Sequence, residues 1–295
     1  MRDSGPILVP LDGSELAESA IPYAAALAKA VNAQLTLLTV WDGSEKELAE
    51  TFPSLVVDID ARAHEHFNSY LEGVRDRKAP GAATLVREGD PADTIMATAT
   101  EINARCIAIG THGRSGIGRW LAGSTATNIL RHSSLPMLAV GPALLGHPNP
   151  RAAIKHIMTP LDGSAVSEAA LPVTKSIASG AGARVSLVRA VPWAVQSYPY
   201  TLPDAYVPQV DDELEKAAKA YLKRMEAETS GIDVRAFVVR GPVSEGLMEF
   251  VDKEAVDLVA MTTHARSGLK RIVLGSVAER IIQGNAPVLL IRPEE

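Results

Sequence analysis

The sequence predicts an α/β protein of two tandem doubly wound domains, each a five-stranded parallel-type sheet flanked by helices. Two observations support this prediction. Short apolar segments alternate with amphipathic segments of helical length along the 295 residues, and such alternation is typical of parallel sheets. The same succession then occurs a second time in the C-terminal half, at a chain length that suggests two domains of about 150 residues.

The duplication is carried by two blocks of residues. Pro-Leu-Asp-Gly-Ser occupies residues 10–14 and again residues 160–164. Thr-His-Gly-Arg-Ser-Gly at residues 111–116 corresponds to Thr-His-Ala-Arg-Ser-Gly at residues 263–268, and a Gly-Ser pair follows in each half. Two blocks that keep their order and nearly their spacing indicate a duplicated domain rather than a solenoid of short repeats.

A linker separates the two copies. Residues 141–150 contain three prolines and two glycines, a composition that does not continue a helix or a central strand. We therefore expect one domain at residues 1–143, a linker at residues 144–152 and a second domain at residues 153–295.

The elements of the first half have local reasons. Ile7 to Val9 is a short apolar strand, and Ser14 is a suitable N-cap for the Ala- and Leu-rich helix after it. Pro91 suits the first turn of a helix, and residues 106–110 are continuously apolar, as in a strand covered on both faces. The predicted elements are strands at 7–9, 35–41, 83–87, 106–110 and 137–140, with helices at 15–31, 55–77, 91–103 and 123–132.

The second half repeats this order of elements. After its second strand, residues 192–210 hold Trp193 and three tyrosines among four prolines. We interpret this aromatic segment either as a lid or partner-binding surface, or as a loop packed on its own domain. The predicted elements are strands at 154–159, 184–190, 234–239, 257–261 and 288–291, with helices at 165–179, 211–229, 243–254 and 275–283.

Composition and charge exclude several functional classes. Hydrophobic residues make up 46% and charged residues 22% of the chain, as in globular proteins. The net charge of −6 and the pI near 5.7 argue against nonspecific binding to nucleic acid or to anionic membranes. The single cysteine, Cys106, excludes an intrachain disulfide. No signal peptide or transmembrane segment is predicted, and we expect a cytoplasmic protein.

Both repeated blocks fall where a doubly wound sheet binds ligands, beyond the carboxyl ends of its strands. Asp12 follows the first strand, where its carboxylate can accept ribose hydroxyls or where Asp-Gly can simply form the turn before a helix. The segment from Gly110 to Ser124 follows the fourth strand, and the helix beginning there presents free N–H groups to an anion such as phosphate. The alternative for this segment is a surface loop whose glycines serve its turns.

The residues at these positions resemble the universal stress protein family. The resemblance rests on Pro-Leu-Asp-Gly-Ser, on the spacing Gly110-x2-Gly113-x9-Gly123-Ser124 and on the last strand of the first half. It covers both halves apart from the linker and residues 192–210. It implies a Rossmann-like, adenine nucleotide alpha hydrolase-like fold and ATP binding, with Mg²⁺ or Mn²⁺ bound through the phosphates. The adenosine would lie against Pro10, Leu11, Asp12 and Val40, and the phosphates on Gly113, Arg114, Gly123, Ser124 and Thr125.

The second half departs from this signature. Thr262 and Ala265 stand where the first half has Gly110 and Gly113. If Gly113 has a positive φ, alanine there is strained by about 1 kcal/mol or more, and the Thr262 side chain can fill space needed by phosphate. We therefore expect a nucleotide site in the first domain and a weaker or empty site in the second. The second half retains Asp162, His264, Arg266, Gly275 and Ser276.

The function favoured by these residues is binding rather than catalysis. The sequence has no Walker-type P-loop, dinucleotide fingerprint, kinase signature or nucleophile elbow, and no residue is assigned as catalytic or metal-ligating. His112 and His264 either contact phosphate or orient their loops. We predict an ATP-binding regulatory stress-response protein, with slow ATP hydrolysis or autophosphorylation and a nucleotide-independent interaction module as alternatives. The resemblance also implies an intrachain pseudo-dimer of the two domains, and a homodimer of chains is left open.

Overall fold

The computed structural model describes residues 4–43, 59–111, 124–146, 153–193, 207–263 and 274–293. The chain divides into two compact units, unit 1 at Met1–Ala152 and unit 2 at Ala153–Glu295. Each unit is an α/β domain, so the predicted fold class is confirmed.

Unit 1 alternates strands and helices from its first residues onward. Its strands lie next to one another in the order β3-β2-β1-β4-β5, and every described pairing within it is parallel. The elements are β1 Ile7–Pro10, α1 Glu15–Ala30, β2 Leu35–Trp41, α2 Ile59–Lys78, β3 Ala83–Glu88, α3 Pro91–Glu101, β4 Cys106–Gly110, α4 Ser124–His132 and β5 Met137–Val140.

Unit 2 has the same arrangement, with the order β8-β7-β6-β9-β10 and parallel pairings among its described strands. The register is repeated as well, since Pro10 pairs with Leu38 in unit 1 and Pro160 pairs with Val188 in unit 2. The elements are β6 His156–Pro160, α5 Ala165–Glu168, α6 Leu171–Ala181, β7 Arg184–Val191, α7 Val207–Glu228, β8 Val234–Arg240, α8 Val243–Lys253, β9 Leu258–Thr262, α9 Ser276–Ile282 and β10 Val288–Ile291.

Local interactions start the helices where the sequence indicates. The Ser14 hydroxyl accepts a hydrogen bond from the Ala17 N–H at 3.1 Å, as predicted for the N-cap of α1. Pro91 occupies the first turn of α3, and the Asp90 carboxylate before it accepts from two backbone N–H groups of that turn. These caps fix the strand-to-helix turns at the edge of the sheet where the candidate site lies.

The core of each unit is its sheet. In unit 1, β1, β4 and β5 are buried at every residue, because helices cover both faces of a doubly wound sheet. Cys106 is fully buried in β4, and burial raises the pKa of its thiol to about 12, so the thiol is protonated near neutral pH. No helix within the described ranges combines the length and apolarity needed to cross a bilayer.

Some predicted bounds are wrong. α7 begins at Val207 rather than at 211, so the last residues of the aromatic segment 192–210 are helical. The helix expected at 165–179 is interrupted at Ala169 and Ala170. A short 3-10 helix at Pro142–Leu144 lies at the start of the Pro-rich segment interpreted as a linker. The predicted start of α2 at residue 55 falls outside the described residues.

His156 is a buried histidine at the start of β6. Its Nε2 lies 2.7 Å from the Ser186 hydroxyl and its Nδ1 lies 3.0 Å from the Glu254 carbonyl oxygen. Burial lowers the pKa of this imidazole, and the adjacent Arg184 guanidinium lowers it further, while the Glu254 carbonyl and the Asp257 carboxylate oppose the shift. The folded state therefore holds a neutral imidazole near neutral pH.

We expect unit 2 to lose stability as the pH falls below about 6.5, the usual histidine pKa. In that range the unfolded chain binds a proton that folded His156 resists, so protonation lowers the free energy of the unfolded state relative to the folded one. Because the intrinsic exchange rate falls with pH, exchange of β6 and β7 amides should slow less between pH 7.5 and 5.5 than the intrinsic rate does, and His156→Gln should remove this excess exchange. His132→Gln, at an exposed histidine in α4, serves as control. An unchanged excess in His156→Gln would contradict this assignment.

Candidate functional site

A cleft of about 310 Å³ opens in unit 1 where β1 and β4 end. The chain runs from β1 outward to β2 and β3, and from β4 outward to β5 on the other side. The cleft therefore lies at the point where the strand order reverses, which is the usual ligand site of such sheets. Its described lining residues are Pro10, Leu11, Asp12, Ala17, Leu38, Val40, Pro91, Ile95, Ile109, Gly110, Ser124, Thr125 and Ala126.

The structure thus brings together the described members of the predicted unit 1 site. Seven of them line this one cleft, namely Pro10, Leu11, Asp12, Val40, Gly110, Ser124 and Thr125. The other predicted members, His112, Gly113, Arg114 and Gly123, lie outside the described residues.

Sequence reasoning missed six lining residues. Leu38 precedes Val40 by two residues on β2, so strand alternation places both on the same face. Pro91 and Ile95 are four residues apart on α3, and residues with that spacing lie on the same face of a helix. Periodicity could therefore have found these three, whereas Ala17, Ile109 and Ala126 carry no chemical signal that distinguishes them from core residues.

Asp12 forms a turn as well as lining the cleft. Its Oδ1 accepts hydrogen bonds from the Ser14 backbone N–H at 3.0 Å and from the Ser14 hydroxyl at 2.6 Å. Gly13 between them has φ +81°, which L side chains rarely adopt. The turn-forming interpretation of Asp-Gly is therefore observed, and the exposed carboxylate stands at the rim of the cleft at the same time.

A tyrosine on α2 fastens this turn to the rest of the unit. The Tyr70 hydroxyl donates to Glu18 Oε1 at 3.0 Å and accepts from the Gly13 backbone N–H. Lys78 pairs with the other oxygen of Glu18 at 2.7 Å. Burial, together with the Glu18 carboxylate, raises the pKa of Tyr70 well above its usual value. The phenol therefore stays protonated and acts as a fixed donor that holds α1 and the turn to α2.

Gly110 serves helix packing at the floor of the cleft. Its φ is not positive, and a Cβ atom placed on it would lie 2.5 Å from the Leu16 carbonyl oxygen and 3.2 Å from the Ala17 nitrogen. The first turn of α1 thus lies directly against the end of β4. Gly110 therefore allows the backbone of α1 to approach β4 closely.

The start of α4 also lines the cleft. Ser124 is exposed and is the first residue of this helix, and Thr125 is partly exposed beside it. The first four N–H groups of a helix have no partner within the helix and carry the positive end of its dipole. The lining of the cleft therefore combines apolar side chains, one carboxylate, and a helix N-terminus with two hydroxyls.

Unit 2 contains a cleft of nearly the same volume, about 300 Å³, at the equivalent place. The cleft has this volume with Thr262, rather than a glycine, at the end of β9. Thr262 lines the cleft, and the other described lining residues are Pro160, Leu161, Asp162, Ser167, Val188, Arg189, Ala190, Pro192, Val243, Leu247, Met261 and Val277.

The predicted residues of unit 2 are only partly gathered in this cleft. Asp162 lines it and repeats the turn of Asp12, with Oδ1 accepting from the Ser164 N–H at 2.9 Å and hydroxyl at 2.6 Å. Gly275 precedes α9 and Ser276 begins it, next to the lining residue Val277. His264 and Arg266 lie outside the described residues, and so do residues 194–206 of the aromatic segment.

Thr262 coincides with a change in the neighbouring helix. The Ala169 N–H is shared between the Ala165 carbonyl at 3.2 Å and the carbonyl of Val166, the counterpart of Leu16, at 3.3 Å, and the Ala170 N–H donates to the Ser167 carbonyl at 3.2 Å. The bonds to Val166 and Ser167 span three residues, and the helix is interrupted here. A proline in the helix does not explain the break, because α1 contains Pro22 in its interior and is still continuous. A side chain at the Gly110 position requires the carbonyl of the first turn to move, which accounts for it.

A protein-built metal centre is not found in the described part of either unit, since no group of three or more His, Cys, Asp or Glu side chains there could hold an ion.

Comparison with known proteins identifies the fold family. A model of the universal stress protein family matches residues 4–141 and residues 153–292. The chain belongs to the universal stress protein family. The double match confirms the prediction of a tandem universal stress protein.

Relatives among the universal stress proteins resemble single halves of this chain. A universal stress protein of Methanocaldococcus jannaschii is 32% identical over 143 residues, which is 47% of this chain and 82% of the relative. A putative universal stress protein of Staphylococcus aureus strain USA300 is 32% identical over 136 residues, 45% of this chain and 82% of the relative. The crystal structure of a universal stress protein from Archaeoglobus fulgidus DSM 4304 covers 98% of both chains at 19% identity with a TM-score of 0.69, a likeness of fold.

We expect Gly110→Ala to destabilise unit 1 by about 1–3 kcal/mol, because the added methyl group meets the Leu16 backbone rather than a movable side chain. Gly246→Ala in α8 is the matched control. Its Cβ would lie 3.4 Å from Val239 Cγ2, so the exchange should be neutral or stabilise the helix by up to about 1 kcal/mol. Urea unfolding monitored by circular dichroism measures both. Equal stability of the two variants would refute the packing role of Gly110.

Proposed function

We propose that the cleft of unit 1 binds an adenine nucleotide, with ATP as the natural candidate, and that occupancy regulates a stress response. The observation that carries this proposal is that one cleft gathers three kinds of surface. Its lining contains the Asp12 carboxylate, apolar side chains from the strand ends, and the first residues of α4 with their two hydroxyls. Ribose, base and phosphate groups require these three kinds of surface.

The apolar part of the cleft lining suits a planar base. Leu38 and Val40 lie on β2, Ile109 lies on β4, and Leu11 directly follows β1. Ile95 on α3 lines the same cleft. Burying the faces of a purine against aliphatic side chains removes apolar surface from water, and the cleft volume of about 310 Å³ lies within the range of small-molecule sites. Backbone groups at the strand ends can then read the polar edge of the base.

The carboxylate of Asp12 suits the ribose. An ionised carboxylate offers about four acceptor positions, and Ser14 uses two of them at Oδ1. Because the Asp12–Ser14 turn is closed by its own hydrogen bonds and held by Tyr70 through Gly13, the carboxylate is oriented before any ligand arrives. Preorganisation of this kind lowers the entropic cost of binding.

The start of α4 suits the phosphates. The N–H groups at a helix N-terminus attract anions, and the hydroxyls of Ser124 and Thr125 add hydrogen-bond donors. The proposed site further includes His112, Gly113, Arg114 and Gly123, as the family resemblance implies. Mg²⁺ or Mn²⁺ would enter with the nucleotide, since Mg²⁺ is commonly held by substrate phosphates and few protein ligands. Bound there, the ion would neutralise phosphate charge.

Unit 2 is proposed to bind ATP more weakly than unit 1. Val277 replaces Thr125 at the phosphate end and removes a hydroxyl donor, and Thr262 replaces Gly110. The retained Asp162, Gly275 and Ser276, with His264 and Arg266, complete the proposed second site. The expected stoichiometry is therefore one tightly bound nucleotide per chain.

Asp12→Asn tests the proposal, because asparagine can keep the turn to Ser14 while the carboxylate charge is removed. We expect the affinity for ATP·Mg²⁺ to fall by about tenfold or more, the usual effect of losing a hydrogen bond to a charged group. Isothermal titration calorimetry measures both affinity and stoichiometry.

Asp162→Asn is the matched control in the equivalent turn of unit 2. It should leave the tight site unchanged. If both variants bind ATP as the parent protein does, Asp12 acts only in the turn; if Asp162→Asn causes the loss instead, the tight site lies in unit 2. No heat of binding in the parent protein would overturn the proposed function.

Thr125→Val tests the phosphate end by giving unit 1 the residue of unit 2. We expect it to weaken ATP by several-fold and to leave adenosine unaffected, because only the triphosphate reaches α4. The reverse exchange, Val277→Thr, should strengthen ATP binding in unit 2. Equal losses for ATP and adenosine in Thr125→Val would contradict this orientation of the ligand, and competition against a fluorescent ATP analogue distinguishes the two results.

A further inference from the structure

The clefts of the two units differ most at the rim beside the Asp-Gly-Ser turn. Unit 2 has Arg189 on β7, where unit 1 has Thr39 on β2. Arg189 lines the cleft of unit 2, whereas Thr39 is buried and does not appear among the described residues that line the cleft of unit 1. The described lining of the unit 2 cleft therefore contains a cation, Arg189, whereas the described lining of the unit 1 cleft contains none.

The guanidinium of Arg189 lies on the turn itself. A Cβ atom placed on Gly163, the residue after Asp162, would lie 3.0 Å from Arg189 Nη1 and 3.2 Å from Nη2. At Gly13, the equivalent residue of unit 1, nothing lies within 4 Å of such an atom. The same turn is thus open in unit 1 and covered by a guanidinium in unit 2.

Tyr221 on α7 holds the guanidinium in place. Arg189 Cζ lies 4.9 Å from the centre of the Tyr221 ring, and Arg224 Cζ lies 5.5 Å from the same centre. The Tyr221 hydroxyl donates to Glu168 Oε1 at 3.0 Å. Burial and the Glu168 hydrogen bond raise the pKa of Tyr221 to about 12, so the ring remains a neutral cation-binding platform. Arg189 is therefore oriented by a ring and a turn before a ligand binds.

Two other lining positions of the unit 2 cleft carry apolar side chains. Val277 replaces the hydroxyl-bearing Thr125, and Met261 replaces Ile109. Thr262 keeps a hydroxyl in the cleft, but the charged groups among its described lining residues are Asp162 and Arg189. A ligand that matches this cleft carries its recognised anion near the ribose rather than at the end of a polyphosphate chain.

We propose that the cleft of unit 2 binds a purine nucleoside that carries a phosphate on the 2′ or 3′ hydroxyl of its ribose. This inference rests on the proposed function, because it assumes that the equivalent cleft of unit 1 holds a nucleoside in the same orientation. The ribose of such a ligand presents one free hydroxyl and one phosphate. A carboxylate accepts from the hydroxyl, and a guanidinium donates two parallel hydrogen bonds to the phosphate. The same pair of residue types distinguishes the two forms of ribose in dinucleotide-binding folds.

The test compares 2′-AMP and 3′-AMP with 5′-AMP, which have the same charge and composition. Calorimetry on the Asp12→Asn chain, whose unit 1 site is weakened, reports on unit 2. We expect one of the ribose-phosphorylated isomers to bind at least tenfold more tightly than 5′-AMP. Arg189→Thr, which restores the unit 1 residue, should abolish this preference by weakening that isomer more than it weakens 5′-AMP.

Arg224→Thr is the matched control, because Arg224 approaches the same ring but is not among the described residues of the cleft. It should keep the preference. Equal binding of all three isomers, or an equal loss of all three in Arg189→Thr, would overturn the inference. Failure of ATP to bind unit 1 in the parent protein would instead overturn the proposed function, and an Arg189-dependent preference would still support the ribose-phosphate site.

Discussion

The parallel pairing of the first and fourth strands of each unit, β1 with β4 and β6 with β9, is the constraint on which the two sites depend. Ile7 pairs with Cys106 and Leu8 with Ile107, although about a hundred residues separate them in the chain. Because the two strands are parallel neighbours, the turn after β1 and the end of β4 lie at the same edge of the sheet. Gly110 then lets the first turn of α1 lie against β4, and the cleft opens between that turn and the start of α4. The chemistry of the site is thus set by the pairing of two short buried strands.

The two units show how one backbone arrangement supports different rims. Strand order and register are repeated, and the cleft volumes differ little, about 310 Å³ against about 300 Å³. The differences are side chains placed on that frame: a threonine instead of a glycine at the end of the fourth strand, and an arginine instead of a threonine on the second. The first is accommodated by tightening a helix turn, and the second by stacking on a tyrosine. Neither change requires the sheet to move.

Much of this architecture could be predicted from the sequence, because it follows from periodicity and caps. The continuous apolar segment at Cys106–Gly110, the cap at Ser14 and the proline at Pro91 each act through neighbours close in the chain, and each element appears where expected. The repeated blocks also located the cleft. What could not be predicted depends on contacts between distant residues. The packing of Gly110 on Leu16, the three-residue hydrogen bonds near Val166 and the guanidinium over Gly163 are set by tertiary geometry, and no local pattern encodes them.

The self-contained Asp-Gly-Ser turn has a consequence for how such duplicated chains diverge. Asp12 and Asp162 each close their turn with the same two hydrogen bonds from a serine, with no ligand involved. Selection for a folded domain therefore preserves the aspartate even after a gene copy has lost its original ligand. The side chains that surround the turn are under no such double constraint and are free to drift. The shared Pro-Leu-Asp-Gly-Ser block is thus explained by the turn itself, whatever each cleft binds.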